Sequence, residues 1–287
     1  MLNAVTAPTN PSTGAAVGVA FGLAVKSLGR PLFFLMCLLM IPVATAELGT
    51  DGWIKGLMTP VLDDMEINPA MALVFSASIM LVFRVFAGGI LKFFSPPGLL
   101  AISGVFSAVG LYWLAGASGA AVFIAVVLYA LGQTYYWPCV LGFTSERYPE
   151  GGALTLNTVS AIGLLSAGII GTPLLGAAFD ESIHKTVAAE APALAEAATA
   201  EGSFMWLKHS KIDPEAADAY IAALPESGQA EVAQVYSDTG SAQTGAGRDV
   251  LRYAVRFPGI LLIVFGAIAL YFRSKGGYKP IELTKES

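Results

Sequence analysis

Charge is scarce in this chain. Only 13% of its 287 residues are Asp, Glu, Lys or Arg, about half the share of a soluble domain, while 55% are hydrophobic and the mean hydropathy is +0.66. Water is therefore not its main solvent. The 16 basic residues are outnumbered by 21 acidic ones and form no stripe, which excludes a nucleic-acid interface. Cysteine is nearly absent too. Cys37 and Cys139 fall inside apolar stretches, where a thiol acts as a small hydrophobe and neither a disulfide framework nor a zinc site is expected. His184 and His209 lie in a polar segment without Cys or His neighbours at metal-ligand spacing, so no cofactor or metal is expected. No serine–histidine or aspartate pair falls within the apolar stretches, which argues against an intramembrane protease and against an enzyme.

What the chain has instead is long apolar runs. Six read as spanning helices: Leu32 to Gly56, Ala70 to Leu91, Leu99 to Ala115, Ala120 to Thr144, Ala153 to Phe179, and Tyr253 to Phe272. Turn residues separate them, among them Pro96-Pro97-Gly98 and Pro149-Glu150-Gly151-Gly152. The last apolar core, from Phe257, reaches only about 24 Å at 1.5 Å per residue, so its helix is expected to begin earlier, with Arg252 and Arg256 snorkelling to the interface. An earlier run, Gly14 to Val25, is too short to span. It reads as an interfacial lead-in helix, or through Gly14, Gly18 and Gly22 as a dimerisation face.

The expected fold class is thus an all-α membrane protein, a six-transmembrane-helix bundle with a helical outer loop. Its parts are a lead-in at 1–30, five spans within 31–180, an extracytoplasmic polar loop at 181–250, the sixth span at 251–274 and a tail at 275–287. Lys26, Arg30, Arg84, Lys92, Arg147, Arg273, Lys275 and Lys279 flank one side of these spans, against Lys55 with Asp63, Asp64 and Glu66 on the other. The positive-inside rule then makes both termini cytoplasmic, in a membrane read as a bacterial inner (plasma) membrane. Arg248, Arg252 and Arg256 run against that rule but close a long loop, where it weakens. Helices are expected in that loop at Thr186 to Glu201 and Pro214 to Leu224. Phe204, Met205 and Trp206 would anchor it to the membrane surface or to the bundle.

The run Arg84-Val-Phe-Ala-Gly-Gly-Ile-Leu-Lys92-Phe-Phe-Ser-Pro-Pro, closing the second span, resembles the cytoplasmic loop between helices eight and nine of major facilitator superfamily transporters. Gly132-Gln-Thr-Tyr-Tyr-Trp-Pro-Cys, with Thr144-Ser-Glu-Arg-Tyr-Pro-Glu-Gly-Gly-Ala-Leu-Thr-Leu-Asn157, resembles helix ten and the start of helix eleven. Tyr271-Phe-Arg-Ser-Lys-Gly-Gly-Tyr-Lys-Pro is similar to the tail of some bacterial members. The fuller Gly-x-x-x-Asp-Arg-x-Gly-Arg signature is not here; Arg84, Gly88 or Gly89, and Lys92 echo it. The resemblance implies the carboxy-terminal six-helix half of a secondary active transporter, moving a small polar organic solute such as a sugar or nucleoside by alternating access, with proton coupling as an option. It also implies a partner: a missing amino-terminal half or a second copy of the chain. The alternative is a non-transporting scaffold or partner subunit of the bilayer.

Ionisable groups inside a span are costly and mark function by default. Glu47 and Asp51, four residues apart, share a helical face with Lys55; Asp51 can pair with Lys55 at the interface, whereas Glu47 has no evident partner on its own helix. On the fourth span Tyr129, Gln133, Tyr136 and Trp137 fall on one face beside Pro138, offering an amide, phenols and an indole to a polar solute, or packing against neighbouring helices. Asn157, Ser160, Gly163, Ala167 and Gly171 make a small, partly polar face on the fifth span, for close packing or solute contact. The candidate substrate-binding or proton-coupling residues are therefore Glu47, Asp51, Gln133, Tyr136, Trp137 and Asn157. At the cytoplasmic ends Arg84, Glu146 and Arg147 resemble the charge cluster of an inner gate, or serve only as topology signals.

Overall fold

A computed structural model of the chain describes residues 30–63, 65–238 and 240–281. The lead-in expected at 1–30, with its Gly14–Val25 helix, lies outside the described residues except for Arg30, as do the side chains of Lys55 and Asp63 and all of Asp64.

The first span begins where the sequence allows no earlier start. Arg30 precedes Pro31 and is held extended (φ −85°, ψ 123°), so the helix opens at the proline. Pro31–Ala44 (α1) runs through a π-helical turn at Thr45–Gly49 into Thr50–Asp63 (α2), past the expected end at Gly56. Ala70–Val85 (α3) ends six residues before the expected Leu91, in a turn at Phe86 and a short Ala87–Ile90 helix (α4), where two consecutive glycines weaken the helix. Pro96–Leu114 (α5), Ala121–Gln133 (α6), Tyr136–Arg147 (α7), Gly152–Ser166 (α8) and Thr172–Glu190 (α9) follow, with a second π turn at Ala167–Gly171. Among the described residues, five helical stretches are long and apolar enough to cross a bilayer, and Ala70–Val85, at 16 residues, is a shorter apolar helix. Phe34, Leu81, Ile124, Ile169, Ile263 and Leu270 stand exposed on the outside of the bundle, as side chains that face lipid do. The bundle itself is all-α and membrane-embedded.

Glycine sets the closest approaches within it. A Cβ on Gly110 would meet the backbone of Tyr129, and one on Gly132 would meet Ser107, so α5 and α6 touch backbone to backbone. A Cβ on Gly104 would stand 2.9 Å from Pro258 O in the last span, Arg256–Ser274 (α14). The small face of the fifth span packs in the same way: Gly163 faces Met40 and Trp137, and Gly171 faces Thr45.

Outside the bundle the fifth span does not stop at the membrane. The stretch Pro149–Glu190 has 42 helical residues, about 63 Å at 1.5 Å per residue, twice the roughly 30 Å of a hydrocarbon core. Its far end carries the polar segment, which has its own core of Ile183, Val187, Leu194, Ile212 and Val235. The helix expected over Thr186 to Glu201 is not one element. It is the end of α9, a break at Ala191 before Pro192, the helix Pro192–Ala198 (α10) and a strand, Thr199–Phe204 (β1), paired antiparallel with Leu207–Ile212 (β2). Pro214–Ala222 (α11) fills most of the second expected helix, capped by Asp213, whose side chain accepts Ala216 N–H at 3.0 Å. Glu226–Tyr236 (α12) and Ser241–Ala254 (α13) lead back to the membrane. The break between α13 and α14 lies at Val255; Pro258, lacking an N–H, leaves Ala254 O without its helical donor.

Candidate functional site

Pro138 opens the site. Its ring carries no N–H for the carbonyl four residues back, Thr134 O, and the fourth span is interrupted at Thr134–Tyr135 between α6 and α7. The freed carbonyl is taken from another span: Arg84 Nε donates to Thr134 O at 3.1 Å. The same guanidinium reaches the first span, where Arg84 Nη2 donates to Glu47 Oε1 at 2.9 Å. Glu47 sits in the π turn Thr45–Gly49, an extra residue's worth of backbone that re-aims the side chain relative to a regular helix. The Trp137 backbone N–H, in the first turn of α7, adds to the positive field on the same carboxylate.

The pair is asymmetric in exposure. The Glu47 side chain is 6% exposed and that of Arg84 39%. The guanidinium opens into a cleft of about 480 Å³ lined by Glu47, Leu48, Arg84, Trp137, Ser160 and Leu164, together with Pro138 and Leu141. Four helical segments contribute to it: the first, with its π turn, then α3, α7 and α8. Glu47 Oε2 is buried and makes no direct hydrogen bond among the described residues.

A second polar layer lies behind the cleft. The Tyr129 hydroxyl stands 3.0 Å from Ala46 O and 3.1 Å from Asp51 Oδ1, so its single proton is shared between two acceptors. Gln133 Nε2 donates to Ser76 Oγ at 3.0 Å and approaches Met80 Sδ at 3.1 Å, while its Oε1 has no partner among the described residues. Tyr136, also fully buried, turns to the third span and donates to Ser103 O at 3.4 Å.

The structure brings together some of the sequence candidates and separates others. Glu47 and Trp137 line the cleft; Asp51, Gln133 and Tyr136 lie in the packed layer behind it. Asn157 is exposed and is not among the cleft residues; the fifth span offers Ser160 and Leu164 instead. Arg84 does not join Glu146 and Arg147. Its partner Thr134 lies about 20 Å along the fourth apolar segment from Arg147 at 1.5 Å per residue, so Arg84 sits well away from that charged end. Glu146 instead accepts from Tyr278 O–H at 2.6 Å, and Arg147 stacks on Phe272 at 5.1 Å and reaches Lys279 O. Those two residues hold the carboxy-terminal tail against the fourth span. The pairing of Glu47 with Arg84 was not visible in the sequence, although Pro138 beside a polar stretch signalled that a backbone acceptor would be left free.

Chemically, the cleft offers a guanidinium with donors to spare, a hydroxyl and an indole, in walls that are otherwise apolar, with the Glu47 carboxylate buried behind the guanidinium. Such a set fits a small molecule carrying hydroxyl, amide or anionic groups. Comparison of the chain with protein-family models, curated proteins and solved structures returns no significant match to any of the three.

Proposed function

We propose that this chain is a six-helix half of a major facilitator-type secondary transporter, and that its solute site is the cleft around Glu47 and Arg84. The observation that carries the proposal is an ion pair between apolar helices that opens into a cleft lined by four helical segments. A charge at mid-membrane costs about 2.5–3.5 kcal/mol on insertion scales, so a guanidinium is kept there where it meets water or solute. A cleft open on one flank of a six-helix repeat is what a central site between two repeats looks like when one repeat is viewed alone. The facing repeat is supplied by further chain, a second polypeptide or a second copy.

In this mechanism Arg84 binds the polar end of a small organic solute such as a sugar or nucleoside. Glu47 fixes the guanidinium and takes or releases a proton as the pair opens, and Trp137 stacks on the solute's flat or apolar face. The membrane is a bacterial inner membrane, with both chain termini cytoplasmic.

Substituted-cysteine labelling tests this even while the solute is unidentified. In a background lacking Cys37 and Cys139, Ser160→Cys should react with a membrane-impermeant maleimide, whereas Ile263→Cys, on the outside of the bundle, should not. A panel of sugars, nucleosides and organic anions is then screened for protection of Ser160→Cys. If Ser160→Cys is silent from both faces of the membrane, the cleft is packed shut and the chain is a scaffold.

A further inference from the structure

The β1–β2 hairpin runs the wrong way for a loop that merely caps a domain. Its open end lies at His184, whose Nε2 is 3.1 Å from Thr199 Oγ1, and its middle at Glu181, which accepts Ser210 N–H at 2.8 Å. Next comes Asp180, 3.4 Å from His209 Nε2. The His209 ring packs against Gly202, its pair on the partner strand, and a Cβ there would collide with the imidazole. Each step toward the tip thus moves back down α9, toward the membrane. Beyond His209, Leu207 and Lys208 face a cleft walled by Leu174, Ala177 and Ala178, residues of the apolar fifth span.

The tip itself has unusual chemistry. Met205 and Trp206 connect the paired residues Phe204 and Leu207, and Met205 takes a left-handed backbone (φ 53°) that glycine or asparagine would adopt without strain. Two large apolar side chains occupy the turn instead, Met205 60% and Trp206 84% exposed. The cleft behind the tip is about 460 Å³ and has cationic groups along its rim: Lys208, which also stands 3.8 Å from the exposed Glu201 carboxylate, and Arg256 lying over the Tyr253 ring at 4.4 Å. Glu181 in the same cleft is already engaged by Ser210 N–H and by Lys185 at 3.3 Å.

We propose that the hairpin is a membrane anchor: the Met205–Trp206 tip enters the lipid leaflet beside the fifth span, and Lys208 and Arg256 take the phosphates of the lipid headgroups seated in the cleft behind it. An aromatic tip flanked by snorkelling cations matches the interface it reaches, apolar below and anionic at headgroup level. The inference needs only the membrane-embedded bundle and stands apart from the transport proposal.

The test uses the full chain in phospholipid vesicles. Trp53, Trp113 and Trp137 also emit, so the Trp206 signal is the difference between wild type and Trp206→Phe. With lipids carrying a nitroxide near the headgroup, that difference signal should be quenched roughly twofold or more, while aqueous iodide leaves it nearly unchanged, as for an interfacial indole. Charge reversal of both Lys208→Glu and Arg256→Glu should weaken nitroxide quenching in vesicles rich in anionic lipid. A Trp206 signal quenched by iodide and indifferent to the nitroxide overturns the anchor. If nitroxide quenching is the same with both charges reversed, in neutral and in anionic vesicles, the headgroup contact is overturned.

Discussion

Arg84 lies 2.9 Å from Glu47 and 3.1 Å from the carbonyl of Thr134, and so ties the second span to the first and to the broken middle of the fourth. One side chain thereby joins three of the four helical segments that line the cleft. Loosening that tie should be felt in all three.

Glu47→Gln and Arg84→Gln should each destabilise the bundle, and the double variant should lose less than the sum. Breaking a fully buried pair costs roughly 3–5 kcal/mol, and less is expected here because Arg84 is 39% exposed. A double-mutant cycle on unfolding in detergent measures the coupling. Strictly additive losses would mean that the two groups do not interact.

Pro138→Ala restores the N–H that Thr134 O lacks. The healed helix should gain stability, by up to about 3 kcal/mol, while Arg84 loses an acceptor and its hold on the cleft. Thermal melting should rise as protection of Ser160→Cys by solute falls. Protection at the wild-type level would show that the broken helix is not needed at the site.

Gly132→Ala and Gly110→Ala should each lower stability by about 1–3 kcal/mol, because the added methyl meets the backbone of the facing helix. Gly142→Ala and Gly266→Ala, where nothing lies within 4 Å of a new Cβ, serve as controls and should be neutral or slightly stabilising. Equal melting temperatures across the four variants would contradict the close packing of α5 on α6.

The tail provides a pH-dependent contact. Burial, and then the hydrogen bond to the Glu146 carboxylate, hold the Tyr278 hydroxyl above its ordinary value. The folded state thus favours the neutral phenol. The contact is fully present below the unfolded tyrosine range, near 10, and is lost as pH rises through the higher folded value. Limited proteolysis at Lys279 should accelerate in alkali for wild type, and already at neutral pH for Tyr278→Phe, which loses a bond of about 1.5 kcal/mol. Cleavage that is independent of both pH and substitution would detach the tail from this contact.

The bilayer character of the chain was legible from composition alone, since runs of apolar residues with charges confined to the gaps admit few other solvents. The start at Pro214 was legible too, and the expected starts at Leu32 and Leu99 lie close to the observed Pro31 and Pro96, because proline and the residue before it restrict the backbone locally. Glu47 stood out for the same kind of reason: a carboxylate in an apolar run is costly wherever the run ends up.

What the sequence could not supply was the phase and the partner. A helical wheel placed Glu47, Asp51 and Lys55 on one face, but the π turn at Thr45–Gly49 shifts the register, and Asp51 turns to Tyr129 while Glu47 turns to Arg84. The wheel likewise grouped Tyr136 with Trp137, but Tyr136 turns to Ser103 on α5 while Trp137 lines the cleft. Arg84 read as a cytoplasmic charge; the packing of α3 instead sets its guanidinium against Thr134 O and Glu47. The hairpin escaped as well, since its alanine-rich approach favours helix and only pairing with β2 and docking on α9 make a strand of Thr199–Phe204. Local composition fixes which segments leave water and where a helix can begin. Which buried charges meet depends on helix breaks and interhelical packing, where a shift of one residue rotates a side chain by about 100° and only the assembled bundle decides between the alternatives.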